Sequence, residues 1–437
     1  MSKIGIIGMA LFIVIGIDST YGQTPSPRLK SPKKILIRYA TAHVGNGEVI
    51  DNAYLTIEGD EIGILANGNN VRINILDYDS IIDAEGKHIY PGFIVMDSRL
   101  GLNEIDAIAA THDFNETGEY TPSVRTLPAF NSESKVISTV RTNGVLMAQI
   151  APTGGRVSGS SSCVHFNGWN WQDATVEADE GTFVNWPSRY GYRGWWAEPG
   201  DAKMNKKYSE DCQELLAYFQ DAKAYSKQSK PVVTNLAFES MRQIFEGSKR
   251  IYVRVDWAKD ILDVVQFAKE MGIKQVAIVG GAEAHLVLTE LKESNIAVII
   301  DRVHKLPVHP DDPLDQPFTL AKQLSEAGVV FAFAMSGGME HMISRNLPFE
   351  MGTAVHYGLD YENAIKAATQ TPAKLMGIDA KYGTLESGKK ATLFISTGDA
   401  LDLSTNQVEA IFIEGRSTSL KNHQQALFEK YAKKQAH

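Results

Sequence analysis

The chain has 437 residues, of which 43% are hydrophobic and 22% charged, proportions ordinary for a soluble globular protein. A formal charge of −9 without a long basic cluster argues against a nucleic-acid partner, because phosphate contacts require a basic stripe. The length suits one large barrel with a minor domain better than a single small core.

The N-terminus reads as a targeting signal. Lys3 supplies a positive charge ahead of an apolar run, 4–17, that is too short to span a bilayer comfortably, and Asp18 ends the run. Thr20 and Gly22 stand at the −3 and −1 positions of a cut before Gln23. Residues 1–22 are therefore expected to be a signal peptide, with an uncleaved anchor as the alternative. The mature chain is expected to be periplasmic or secreted, with no integral membrane span. Pro25, Pro27 and Pro32 mark 24–34 as a disordered leader. Export would permit a disulfide, yet Cys163 and Cys212 lie in neither a CxxC nor a Cys/His pattern and read as two separate buried thiols.

From 34 to 89 the pattern is one of short β-type runs (35–37, 54–57, 62–65) between Gly, Asp and Asn turns. After Pro91-Gly92 apolar strands alternate with helices, as a parallel βαβ architecture requires. The run Ser158-Gly159-Ser160-Ser161-Ser162 lacks nucleophile-elbow spacing and reads as a turn. Trp169, Trp171, Trp186, Trp195 and Trp196 crowd a Gly-rich insertion on one barrel loop, ahead of a helix around Leu215. Ordinary loop packing accounts for them more simply than an aromatic platform. The clearest units follow. A strand at 251–255 leads into a helix at 258–272, with Ile261, Val264, Val265 and Ala268 on one face and Gly272 as its stop. A strand at 275–279, a helix at 284–295 and a strand at 297–300 ending in Asp301 come next. A helix at 318–327 stops at Gly328, and a strand at 329–334 completes the series. Helical stretches at 361–376 close the barrel, β-type runs return at 383–395 and 408–413, and a helix or tail ends the chain.

These elements predict an α/β protein: a (β/α)8 TIM-type barrel over 91–379. A composite β-domain is expected from 34–90 plus 380–417, and a tail over 418–437. A doubly wound open sheet is the alternative, weakened by the lack of a Gly-rich phosphate loop after an early strand.

Three blocks carry a family likeness. The segment 82–94 (IDAEGKHIYPGFI) resembles the entry to an amidohydrolase barrel, and 367–377 (AATQTPAKLMG) with 383–391 (GTLESGKKA) resembles its exit. Asn143-Gly144-Val145, Ala151-Pro152 and Ser158-Gly159-Ser160 resemble imidazolonepropionase-like and metal-dependent prolidase-like members. The likeness extends over roughly 34–416. It implies one or two divalent metals at the C-terminal ends of the barrel strands, activating water for hydrolysis of C–N bonds. The family holds them with a His-x-His after the first strand, a Lys or Glu bridge, later histidines and a late Asp.

This sequence departs at those positions. The His-x-His reads Asp97-Ser98-Arg99; the later histidines fall at Arg254-Val255-Asp256 and Val279-Gly280-Gly281; the late Asp falls in Phe333-Ala334-Met335-Ser336. Arginine stays protonated and is no ordinary metal ligand. Arg99 and Arg254 instead place cations where metal charge would have been, favouring a small anionic or peptide-like ligand or internal Arg–carboxylate pairs. Other candidates have plain readings: His112 with Glu116 as a loop-anchoring pair, and 309–312 as a solvated loop. His304, just after a barrel strand, has the best claim to a pocket.

The candidate pocket residues are thus Asp97, Arg99, His165, Arg254, Asp301 and His304. At least two of Asp97, Arg99, Arg254 and Asp301 are expected to line one cavity and pair there. No metal is expected; zinc is the alternative, should His112, His165 or His304 converge. The favoured function is a non-catalytic or divergent binding protein, acting as a homo-oligomer or paired with an active relative. The alternative is a hydrolase of C–N bonds in cyclic amide or dipeptide-like substrates through an unrecognised metal site.

Overall fold

The computed structural model describes residues 34–192, 200, 202–337 and 339–435. The expected signal peptide, most of the proline-bearing leader and both Trp195 and Trp196 lie outside the described residues.

The two ends of the chain meet in one eight-stranded sheet. Lys34–His43 pairs antiparallel with Val49–Glu58, which continues into Glu61–Asn67. On its other edge Lys34–His43 takes Ser80–Asp83 and His88–Pro91 in parallel. The far end of the chain joins there. Leu393–Ser396 runs antiparallel to His88–Pro91, with Phe394 opposite Tyr90, and leads on to Val408–Ile413 and Arg416–Thr418. Ile37, Leu55, Ile57, Leu393, Ile395 and Phe412 form the core on one face.

Aromatic side chains join this sheet to the barrel. Phe394 stacks on Tyr90 (5.1 Å between centroids) and meets Phe93 edge-on (5.1 Å). Gly144 makes that approach feasible. Its φ is +83°, and a Cβ there would lie 2.5 Å from the Phe394 ring.

A titratable cluster occupies the same junction. His43 Nδ1 lies 2.6 Å from Glu362 Oε1, and His43 Nε2 lies 3.1 Å from His88 Nδ1. A carboxylate only accepts, so the proton of neutral His43 sits on Nδ1, and its Nε2 accepts from His88. Burial, and next the neighbouring His43, holds the His88 imidazole below its usual range. The sign follows by linkage. The contribution of His88 to stability is full above the ordinary imidazole value of about 6.5 and is lost as pH falls through the lowered value. Thermal melts are expected to lose midpoint temperature as pH falls from about 6.5 to the lowered value and to level off below it. His88→Gln should flatten the slope, and an unchanged slope would remove His88 as its source.

The barrel is a second eight-stranded sheet. Its strands, in chain order, are Phe93–Ser98, Val145–Ile150, Val157–His165, Thr175–Asn185, Arg250–Val255, Val276–Gly280, Ala297–Ile300 and Phe331–Phe333. A parallel bridge between Met96 and Ala334 links the last strand to the first. One strand breaks the regular βα pattern: Val157–His165 runs antiparallel to both neighbours. Residues 158–162, expected to be a turn, lie in this strand, which is buried along its whole length. Burial on both faces erases the polar alternation that marks a half-exposed strand, so a Ser/Gly run there looks like a loop.

The later helices follow their expected positions. Ala258–Met271 ends at Gly272 (φ +67°) and Gln316–Ala327 at Gly328 (φ +75°), both in the left-handed conformation that glycine accepts most readily. The helix expected over 284–295 divides into a 3-10 turn, Ala284–Leu286, and a short helix, Leu288–Glu293. Trp186 packs as ordinary structure. It is buried, edge-on to Phe267 at 5.3 Å, with its N–H donated to the Tyr208 hydroxyl at 3.2 Å. Cys163 and Cys212 are both free, the first buried and the second half-buried. Among the described residues no helix is long and apolar enough to cross a membrane.

Candidate ligand site at the barrel mouth

The C-terminal ends of the barrel strands enclose a cavity of about 430 Å³. Asp97, Arg99, Arg254 and Asp301 all line it, together with Asp256, Trp257, Asn185 and Ser336. This is the face on which sites form in such barrels.

Asp97 is the most constrained of them. Pairing between the first two strands slips between Val95 and Ser98, and Asp97 takes φ +45°, a left-handed conformation costly for a side chain with a Cβ. Gln149 Oε1 accepts from the Asp97 N–H at 3.2 Å and holds the bulge. The slip turns the carboxylate inward, where it is 4% exposed. Arg254, halfway round the barrel, meets both its oxygens: Nε donates to Oδ2 at 3.1 Å and Nη2 to Oδ1 at 2.5 Å. The same guanidinium donates to the Pro152 carbonyl (2.9 Å) and to Asn185 Oδ1 (3.2 Å), and lies 4.4 Å over the Phe183 ring. Arg254 is thus fixed in plane, with four of its five N–H donors engaged.

Other carboxylates line the rest of the wall. Lys305 pairs with Asp301 at 2.6 Å, and Arg189 with Asp260 at 2.8 Å. Asp256 lines the cavity and is exposed there. Desolvation by the surrounding protein, and next the Asp301 charge, pushes its carboxyl above the usual range, against a weak N–H donation from Ala282 at 3.3 Å. Below the cavity lies a polar layer inside the barrel. Glu180 accepts from Ser161 Oγ (2.5 Å), Gln149 Nε2 (2.7 Å) and the Tyr252 hydroxyl (2.9 Å). Burial raises its carboxyl, and these three donors oppose the rise. Tyr252 stacks on Phe183 at 5.0 Å and presses on the next strand, where a Cβ at Gly181 would fall 2.1 Å from its ring.

The remaining candidates lie elsewhere. His165 is buried, with Nε2 3.9 Å from Glu414, and does not line the cavity. His304 is half-exposed beside Glu350 (3.2 Å) and Thr353 (2.6 Å), also off the cavity. The antiparallel third strand points the end bearing His165 away from the mouth, and the turn after Asp301 carries His304 outward. His112 Nε2 bonds the Asp106 carbonyl at 3.1 Å, and Glu116 accepts from the Thr117 N–H at 2.9 Å, so each anchors its own stretch of loop. His309 departs from its expected solvated loop: it bonds Glu283 at 2.5 Å and lies edge-on to Trp257 at 5.3 Å. Sequence reasoning named Asp256 beside Arg254 without making it a pocket candidate, and passed over Trp257, Gln149 and Glu180. Asp256 was findable, since it follows Arg254 by two residues at a barrel strand end.

A divalent metal does not fit this arrangement. Both Asp97 oxygens face a guanidinium, and among the described residues no group of three or more His, Cys, Asp or Glu side chains is placed to hold a metal ion.

A barrel with a mouth-side cavity and a sheet built from both chain ends defines an amidohydrolase-type fold. Comparison with known proteins agrees. Residues 235–418 match the model of the amidohydrolase family. The chain is 19% identical over 370 residues to amidohydrolase tasK of Hapsidospora irregularis, covering 77% of this chain and 37% of that one. It is 32% identical over 107 residues to imidazolonepropionase of Flavobacterium psychrophilum, covering 23% of this chain and 26% of that one. The chain therefore spans well under two thirds of these curated relatives. The crystal structure of an amidohydrolase from Thermotoga maritima MSB8 superposes with a TM-score of 0.73 at 22% identity, covering 88% of this chain and 99% of that one. Residues 235–418 are thus similar to the amidohydrolase family, and the described residues have the fold of a solved amidohydrolase.

Proposed function

We propose that this chain is a divergent amidohydrolase-superfamily protein that binds a small ligand at the barrel mouth and does not use metal-dependent hydrolysis. The observation that carries this reading is the Asp97–Arg254 pair. It joins two of the strand ends at which the resemblance places metal ligands, and it consumes both Asp97 oxygens on a fixed cation. The guanidinium would repel a dication at close range. Binding fits the remaining features, since ligand sites are concave, with a few convergent polar groups and perturbed carboxylates. The anionic guest expected from the arginines is not supported by Arg254, because its charge is already matched by Asp97.

Elemental analysis of protein purified without chelator tests the reading. Metal far below one ion per chain is the expected result, along with no turnover of imidazolone or Xaa-Pro dipeptide substrates. About one tightly held zinc per chain, lost together with hydrolysis on His304→Ala, would overturn it in favour of an active C–N hydrolase.

A further inference from the structure

A second, larger concavity adjoins the cavity and shares Trp257 as a wall. It has a volume of about 1010 Å³ and carries Leu286, Leu306, Val308 and Leu314. Leu286, Leu306 and Leu314 are 63%, 81% and 77% exposed. Single exposed leucines are ordinary, but several converging on one groove beside a polar cavity mark a place for apolar ligand surface. The shared wall is held in place. His309 lies edge-on to Trp257 and bonds Glu283 Oε1, while Glu283 Oε2 accepts from the Ala258 N–H at 2.7 Å. Trp257 is therefore fixed between the two spaces.

The cavity wall next to Trp257 is acidic. Asp97 and Asp260 are matched by Arg254 and Arg189 and Asp301 by Lys305, whereas among the described residues Asp256 has no ion-pair partner. The remaining cation, Arg99, follows the first strand, half the ring away from Asp256, and its guanidinium lies 4.3 Å over the Phe114 ring.

We propose that cavity and groove form one two-compartment site for an amphipathic amine: a cationic head against Asp256 and Asp301, and an aromatic or aliphatic tail across Trp257 onto Leu286, Leu306 and Leu314. The head gains charge-assisted hydrogen bonds where a carboxylate lacks its own cation, and the indole face adds cation–π attraction. The tail gains by removing apolar surface from water. This inference rests on the ligand-binding reading of the same cavity.

Calorimetric titration of the purified full chain with 4-phenylbutylamine, butylamine and 4-phenylbutyrate tests it. The expected order is binding by 4-phenylbutylamine, at least about tenfold weaker binding without the phenyl group, and none by the carboxylate. Asp256→Asn should weaken both amines by about tenfold. Leu306→Ser should weaken only the aryl amine, and circular dichroism would verify that each variant is folded. Equal binding of amine and carboxylate, indifference to the phenyl group, or no binding of the aryl amine would each overturn the proposal. A zinc-loaded, hydrolysing protein that still shows these fold-changes would instead sink the metal-free reading and leave the two-compartment site standing.

Discussion

Replacing Arg254 by Ala is expected to cost about 3 kcal/mol of stability, the lower end of what breaking a buried ion pair costs. The lower end applies because cavity water reaches the guanidinium, which is 20% exposed, whereas the Asp97 carboxylate it leaves behind is only 4% exposed. Two further losses add to the effect: the Pro152 carbonyl and Asn185 lose their donors, and Phe183 loses the cation above its ring. Asp97 itself sits at φ +45°, a strain that persists only while neighbours over-determine it. Urea denaturation should show the midpoint falling with an unchanged slope. Adding Asp97→Asn to the Arg254 variant should recover part of the loss, because the stranded charge is gone. If Arg254→Ala cost less than about 1 kcal/mol, the value of an exposed surface pair, the pair would not be what pins the first strand's bulge.

Replacing Glu180 by Leu is expected to cost about 2–4 kcal/mol, from buried donors left without an acceptor. The donors differ in what they lose. Ser161 has the Gly181 carbonyl within 3.4 Å and Tyr252 the Leu375 carbonyl within 3.3 Å, so both hydroxyls have a second acceptor. Gln149 has the weaker alternative, the Ser161 hydroxyl at 3.5 Å, and cannot turn freely to improve it because its oxygen accepts from the Asp97 N–H. The loss should therefore spread upward, appearing in near-ultraviolet dichroism as well as in the denaturation midpoint. The pH dependence has a definite sign. Because the folded-state carboxyl is raised, its contribution is full below the usual carboxylate range and is lost as pH rises through the raised value. The Leu variant should lack that decline. A Glu180→Leu protein as stable as its parent would show the polar layer to be slack.

The barrel's second half was legible because its signals are local. The apolar face of Ala258–Met271 repeats every three to four residues, and Gly272 and Gly328 each supply the left-handed residue that ends a helix. The return of β-type runs after 383 was equally plain, and Leu393–Ser396 does pair with His88–Pro91. The residues at the strand ends that the resemblance picks out, Asp97, Arg99 and Arg254, were legible too, since they stand in the chain wherever it folds. Four of the six candidate pocket residues followed from a single rule, that strand C-termini face the mouth.

The sequence by itself thus determined the barrel plan and the order of its later units. Only the tertiary structure decided that 157–165 runs antiparallel, that His165 and His304 leave the cavity, that Arg254 closes on Asp97, and that Glu180 gathers three donors beneath them. The reason is one of range. Caps and periodicity act across a few neighbouring residues and leave a mark in the local pattern. Strand direction inside a doubly buried sheet, and an ion pair between residues 157 apart, are fixed only when ring closure sets both partners in register.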